Sequence, residues 1–331
     1  MLSRVTEERL MSGSFVIAAA QSAPVYLDRD ASVEKACRLI AEAGKKGADL
    51  VAFGETWLPG YPFFAFAGSS TARWDATQEY FAQAVQIPGP EIDQICSAAR
   101  AADTDVVIGV AELDPRTRGT VYCTILAIGR EGRILGGHRK LKPTMDERTT
   151  WGEGSGDDLY VYDRSYGRMS ALNCWEHQMV LPGYALMAQG TQVHVAAWPG
   201  GDPETPPKPP VSLWARQELL SRAFAAHGAC YVVAVGGLIA PDDVPERFRS
   251  LAYEGSGDSM IIDPRDEIVA RAERGAETIL TYTANHAVIR SAKAANDVAG
   301  HYSRPDVFQL LVRGKPATSL EPVSPPIDTE E

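Results

Sequence analysis

Three short strings hold the side chains best suited to covalent chemistry. Cys174 stands in ALNCWEH, where a mostly apolar run over residues 169–172 gives way to a polar corner. A thiol at the tip of a strand meets backbone N–H groups aimed at whatever it attacks. Such a thiol is mostly protonated at neutral pH, so it needs a base to take its proton. It also needs a cation or N–H donor for the charge that grows on the substrate. Glu55, in GETWLPGYP at the end of an apolar run over residues 49–53, fits the base. Lys140, in HRKLKPT, fits the cation, and a buried ammonium between carboxylates stays charged.

Each residue has a plainer reading when taken alone. A cysteine in an apolar segment is usually a small core residue, which is the expectation for Cys37, Cys123 and Cys230. A glutamate at a strand end is usually solvated. Lys140 lies in a basic patch with His138, Arg139 and Lys142 that reads equally well as a solvated loop or an anion site. His177, three residues after Cys174, suggests a Cys–His pair.

The three strings together, in the order Glu, Lys, Cys, resemble the catalytic set of the nitrilase superfamily, and CWEH and HRKLKPT are similar to its nitrilase branch. The resemblance runs from the FVIAAAQ strand to HYSRPDVF near residue 300. It implies Glu55 as general base, Cys174 as nucleophile, and Lys140 with the Trp175 N–H as stabilisers of the tetrahedral species. It also places a further glutamate at Glu147, orienting Lys140 or assisting proton transfer, and assigns His177 a structural role because the family's base is a carboxylate. Many relatives carry a histidine where this chain has Met145, which is left without a role. The implied architecture is an α/β four-layer α-β-β-α sandwich. The implied assembly is a homo-oligomer built from dimers and extended into spirals.

The elements that position these residues follow from periodicity. Strands are expected over residues 15–21, 49–53, 105–112, 120–128, 133–141, 193–198, 231–238 and 259–262, besides the run before Cys174. Helical spacing covers 31–43, 71–85, 91–102, 181–189 and 213–227, with Gly44 read as the stop of the first helix. Residues 142–158 read as a loop, and residues 267–272 and 278–284 as a terminal hairpin. Strands alternating with helices indicate an α/β protein, and the hairpins exclude a purely parallel sheet. One carbon–nitrogen hydrolase domain is expected over 1–314, followed by a disordered, acidic, Pro-rich tail over 315–331.

Composition narrows the function classes. A net charge of −11 argues against a general nucleic-acid binder, and no apolar run is long enough for a membrane span. The charged N-terminus lacks an apolar signal core, so the cytoplasm is the expected location. Five scattered cysteines suggest neither a disulfide framework nor a zinc site, and no phosphate loop calls for a nucleotide, so no metal or cofactor is expected.

The expected partner is a small-molecule nitrile, converted to acid and ammonia through a Cys174 thioimidate and thioester. Tyr61, Trp57, Phe64, Trp175, Trp198 and Pro199 are the candidate pocket walls, several of them equally suited to the core. Their aromatic character favours an arylaliphatic nitrile, and WLPGYPF is similar to arylacetonitrilases. An amidase or a cyanide hydratase or dihydratase of the same superfamily is the alternative. A non-catalytic assembly scaffold and a thiol redox sensor built on Cys174 are alternatives from other classes.

Overall fold

The computed structural model describes residues 13–201 and 213–314. The first sheet is built from β1 (Ser14–Gln21), β2 (Leu50–Ala52), β3 (Asp105–Leu113), β4 (Val121–Gly129) and β5 (Arg133–Arg139). The second takes β6 (Tyr162–Arg164), β7 (Gly167–Asn173), β8 (Val193–Trp198) and β9 (Tyr231–Gly236). A two-stranded ribbon pairs β10 (Leu238–Ile239) with β11 (Gly255–Ser256), and β12 (Met260–Ile262) and β13 (Ile268–Arg271) complete the second sheet. The last strand, β14 (Thr278–Asn285), returns to the first sheet. The orders are β14-β1-β2-β3-β4-β5 and β13-β12-β9-β8-β7-β6.

Strand alternation divides the core into layers. In β1, Phe15, Ile17 and Ala19 face Val195, Val233 and Ile261 of the other sheet. The intervening Val16, Ala18 and Ala20 face Val33, Ala36 and Ile40 of α1 (Arg29–Lys45), beside which α3 (Pro90–Ala102) packs; α2 is Thr71–Ala82. On the far side, Leu172, Ala196 and Val232 pack on Leu186 of α4 (Leu181–Ala188) and Phe224 of α5 (Leu213–Gly228). A period of two with apolar residues in both phases therefore yields strands covered on both faces, in the order helix, sheet, sheet, helix. A short α6 (His286–Ala295) follows β14. Among the described residues, no helix is long and apolar enough to cross a membrane.

Three expectations need correction. Residues 267–284 do not form a hairpin: β13 pairs with β12, whereas β14 pairs with β1 along eight residues, from Ser14↔Asn285 to Gln21↔Thr278. The connection between them steps from one sheet to the other, and Gln21 Nε2 holds it by donating to the carbonyls of Glu273 and Ala276. Gly44 is not a helix stop, because α1 runs on to Lys45; a Cβ at Gly44 would lie 2.6 Å from the Ala102 carbonyl oxygen. Close helix packing, not termination, is what requires that glycine. The expected loop over 142–158 contains two short 3₁₀ helices, Met145–Thr149 and Gly156–Asp158. The expected tail over 315–331 lies outside the described residues.

Strand direction gathers the chemistry at one edge. β1, β2 and β3 are mutually parallel, as are β7, β8 and β9. β5 runs with β3, since both are antiparallel to β4. Glu55 follows β2, Lys140 follows β5 and Cys174 follows β7, so all three stand at carboxyl ends of strands drawn from both sheets. Strand ends of this kind are where α/β folds hold ligands.

Candidate active site

Glu55, Lys140, Glu147 and Cys174 converge in one buried cluster. Lys140 Nζ donates to Glu55 Oε1 at 2.6 Å and to Glu147 Oε2 at 2.7 Å. Donor atoms of Glu55, Glu147 and Cys174 all lie within 4.8 Å of one another. Such a set could ligate a metal, but the cation bonded to both carboxylates is the Lys140 ammonium. The basic patch of the sequence is thus no solvated loop. His138 and Lys140 are buried, Arg139 forks onto Glu112 at 2.9 and 2.6 Å, and only Lys142 is exposed, beside Glu153.

The two carboxylates differ in what remains open. Glu147 accepts from Tyr61 Oη at 2.5 Å on Oε1, and from Lys140 and the Thr144 N–H on Oε2, the last at 2.6 Å. Both of its oxygens are engaged. Glu55 is bonded only through Oε1, and its Oε2 is buried without a partner. Burial raises the Glu55 carboxyl to about 7, Lys140 pulling it down and Glu147 pushing it up. An acid poised there, with a free oxygen, has the properties of a proton acceptor near neutrality. Burial also pushes the Cys174 thiol up, as does Glu55, against the downward pull of Lys140 and the Trp175 N–H. Cys174 therefore rests as a thiol. Lys140 stays an ammonium: burial opposes its charge, but Glu147 and Glu55 outweigh burial.

The backbone around these residues is bent into an uncommon form. Cys174 has φ +48°, Thr56, directly after Glu55, has φ +40°, and Met145, two before Glu147, has φ +46°. Non-glycine residues seldom take this left-handed region, which costs on the order of 1–2 kcal/mol each. His177 is buried, its Nδ1 donating to the Cys174 carbonyl at 2.6 Å. That carbonyl only accepts, so Nδ1 carries the proton and Nε2 accepts from His194 Nε2 at 2.9 Å. Burial holds both imidazoles neutral, His177 being lowered to about 4.

A second network joins the Lys140 strand to the Cys174 turn. His138 bonds Asp158 through Nδ1 at 2.6 Å and Glu176 through Nε2 at 2.9 Å. Glu176 also accepts the N–H groups of Leu141 at 2.9 Å and Asn173 at 3.0 Å. Glu176 and His138 were visible in CWEH and HRKLKPT, but nothing in sequence pairs them.

The expected pocket walls divide. Trp57 is buried against Phe53 and donates to the Ser22 carbonyl at 2.7 Å. Phe64 packs among Phe63 and Tyr80, and Trp198 lies under His177 with its Nε1 on Ser221. These three are core. Tyr61 touches the cluster through Glu147, while Trp175 and Pro199 are half-buried at the strand ends. Sequence reasoning missed Trp151, whose ring lies 5.5 Å from Lys140 Nζ. It also missed Tyr253, which meets both Tyr61 and Phe66 edge-on at 6.4 Å. Tyr61 in turn bonds Glu147, which joins Tyr253 to the cluster through one ring, and burial raises the Tyr253 phenol.

Comparison with known proteins agrees with this geometry. The carbon-nitrogen hydrolase family profile matches residues 16–294. "Nitrilase 2" of an unknown prokaryotic organism is 51% identical over 91% of this chain and 93% of its own. The chain belongs to the carbon–nitrogen hydrolase family, in its nitrilase branch. An aliphatic nitrilase of Rhodococcus rhodochrous is 37% identical over 96% of this chain and 87% of its own. Among solved structures, Nit3 of Saccharomyces cerevisiae superposes with a TM-score of 0.69 at 20% identity, covering 88% of this chain and 98% of that one. This likeness concerns the shared carbon–nitrogen hydrolase sandwich.

Proposed function

We propose that the chain hydrolyses an organic nitrile to the carboxylic acid and ammonia through a covalent bond to Cys174. The observation that carries this reading is the asymmetry of the buried carboxylates. Glu147 is saturated and holds Lys140, whereas Glu55 offers one unpartnered oxygen beside a protonated thiol. The Cys174 proton passes to Glu55, sulfur bonds to the nitrile carbon, and the nitrogen takes the proton to give a thioimidate. A first water adds to that carbon, one of its protons going by way of Glu55 to the nitrogen; the remaining hydroxyl proton follows by the same route as the C=O forms, and ammonia leaves as the C–N bond breaks. The resulting thioester takes up a second water, which releases the acid and returns the proton to sulfur. Lys140 and the Trp175 N–H meet the charge that builds first on nitrogen and then on oxygen.

An arylaliphatic nitrile suits the aromatic surround of Tyr61, Phe66 and Tyr253. Phe66 is 47% exposed, so part of this surround is open to solvent. Replacing Tyr253 with Ala is expected to raise KM for phenylacetonitrile by about tenfold while leaving a short aliphatic nitrile little affected. Equal changes on the two substrates would remove Tyr253 from the pocket wall.

The primary test incubates the protein and Cys174→Ala with phenylacetonitrile, phenylacetamide, benzonitrile, a dinitrile and cyanide, assaying ammonia and carboxylate. The expected result is acid and ammonia from phenylacetonitrile, lost in Cys174→Ala. Turnover of the amide alone would move the chain to an amidase activity on the same residues. Dominance of cyanide would overturn the arylaliphatic assignment.

A further inference from the structure

Cys123 was expected to be a small core residue, and it is fully buried on β4. Its side chain nevertheless reaches the reacting cluster. Cys123 Sγ lies 3.5 Å from Glu55 Oε1 and is oriented to donate to it. Its main-chain carbonyl accepts the Lys140 N–H at 2.8 Å. One residue thus touches the carboxylate by its side chain and the lysine by its backbone. Glu55 Oε1 receives both the ammonium and the thiol, and Oε2 receives nothing.

We propose that Cys123 is a positioning residue for Glu55: its S–H, with Lys140, occupies Oε1 and so keeps Oε2 as the oxygen that accepts protons. This rests on the reading of Glu55 as the base. A thiol suits the task because it is a weak donor. It orients the carboxylate without binding the charged form so tightly that basicity is lost, as a strong donor would. It also stays protonated: burial and the adjoining Glu55 charge push its thiol well up, so it offers a hydrogen and no competing thiolate. The other titratable groups around Glu55 are Lys140 beyond β5, Glu147 on its 3₁₀ helix, Cys174 beyond β7, Tyr80 on α2, and Tyr61 and Tyr253 from loops.

The test uses the full chain with Cys123→Ala, Cys123→Val and Cys123→Ser. The backbone bond to Lys140 survives in all three. The readout is the pH dependence of Cys174 alkylation by iodoacetamide, followed by mass spectrometry, which needs no nitrile turnover. Removing a donor to the charged carboxylate raises its pKa. The acidic limb of the Ala and Val variants is therefore expected to move up by about half a pH unit, the size of one weak hydrogen bond. Ser, which restores a donor, is expected to bring the limb back below both. Val, though larger than Cys, fills the space that Ala would leave empty, so the two donor-less variants perturb packing in opposite directions and a limb shift common to both reports the lost donor. The proposal fails where Ser groups with Ala and Val, or where no limb moves. A loss of nitrile turnover in the unsubstituted protein alongside the expected ordering would refute the nitrilase reading and leave this one standing.

Discussion

Lys140→Met is expected to abolish turnover, by at least about a thousandfold, and to lower folding stability by about 3–5 kcal/mol. The activity is lost because Lys140 is the one cation bonded to both Glu55 and Glu147 in the described cluster. The stability is lost because two carboxylates remain buried without it, and uncompensated buried charge is costly. The same argument fixes a pH signature. Glu55 is raised from 4.5 to about 7 in the folded chain. Its contribution to stability is therefore present in full below 4.5 and is lost as pH rises through about 7. Without the ammonium, which pulls it down, the Glu55 carboxyl favours its neutral form still more, and the loss extends to higher pH. Urea unfolding should then show a larger deficit for Lys140→Met at pH 8 than at pH 5. An equal deficit at both would mean that the side chain acts only through packing.

Glu176→Ala is expected to be nearly as damaging, through the bonds Glu176 makes to the segments that carry Lys140 and Cys174. Its carboxylate bonds His138 Nε2 and accepts the N–H groups of Leu141 and Asn173. Asn173 precedes Cys174, and Leu141 follows Lys140. Removing the carboxylate leaves a buried imidazolium with Asp158 as its remaining carboxylate and two amides without their acceptor, at a cost of about 3–5 kcal/mol, and kcat is expected to fall with it. His138 gives this network its own pH dependence. Burial works against its charge, but Glu176 and Asp158 raise it from 6.5 to about 10. The stability it supplies is complete below 6.5 and disappears as pH rises through about 10. Calorimetry of the unsubstituted protein should show melting falling across that interval, and Glu176→Ala should flatten the fall. A melting curve unchanged by Glu176→Ala at pH 7 would refute the network's importance.

Much of this was legible in the residues. Apolar runs ending in polar residues located the strand ends that carry Glu55, Lys140 and Cys174, and β8 spans the expected residues. Local periodicity cannot name a strand's partner, which is why residues 267–284 read as a hairpin when their two strands close different sheets. Nor does periodicity distinguish a glycine that ends a helix from one, such as Gly44, that lets two helices touch. Tyr253, Trp151 and the His138–Glu176 pair depend on contacts across long stretches of chain. Cys123 shows the same limit from the other side. Its burial was correctly read from its apolar neighbours, while its contact with Glu55 belongs to a residue 68 positions away.

The three left-handed residues Thr56, Met145 and Cys174 also bear on how such a chain changes over time. None is glycine, and each spends folding energy on a bend beside a reacting group. Selection for folding alone would replace them with glycine and gain stability in doing so. Holding all three is therefore a heritable cost, maintained only while the chemistry is under selection. A duplicate copy released from that chemistry would drift toward glycine at these positions first, and would grow more robust as it lost its trade.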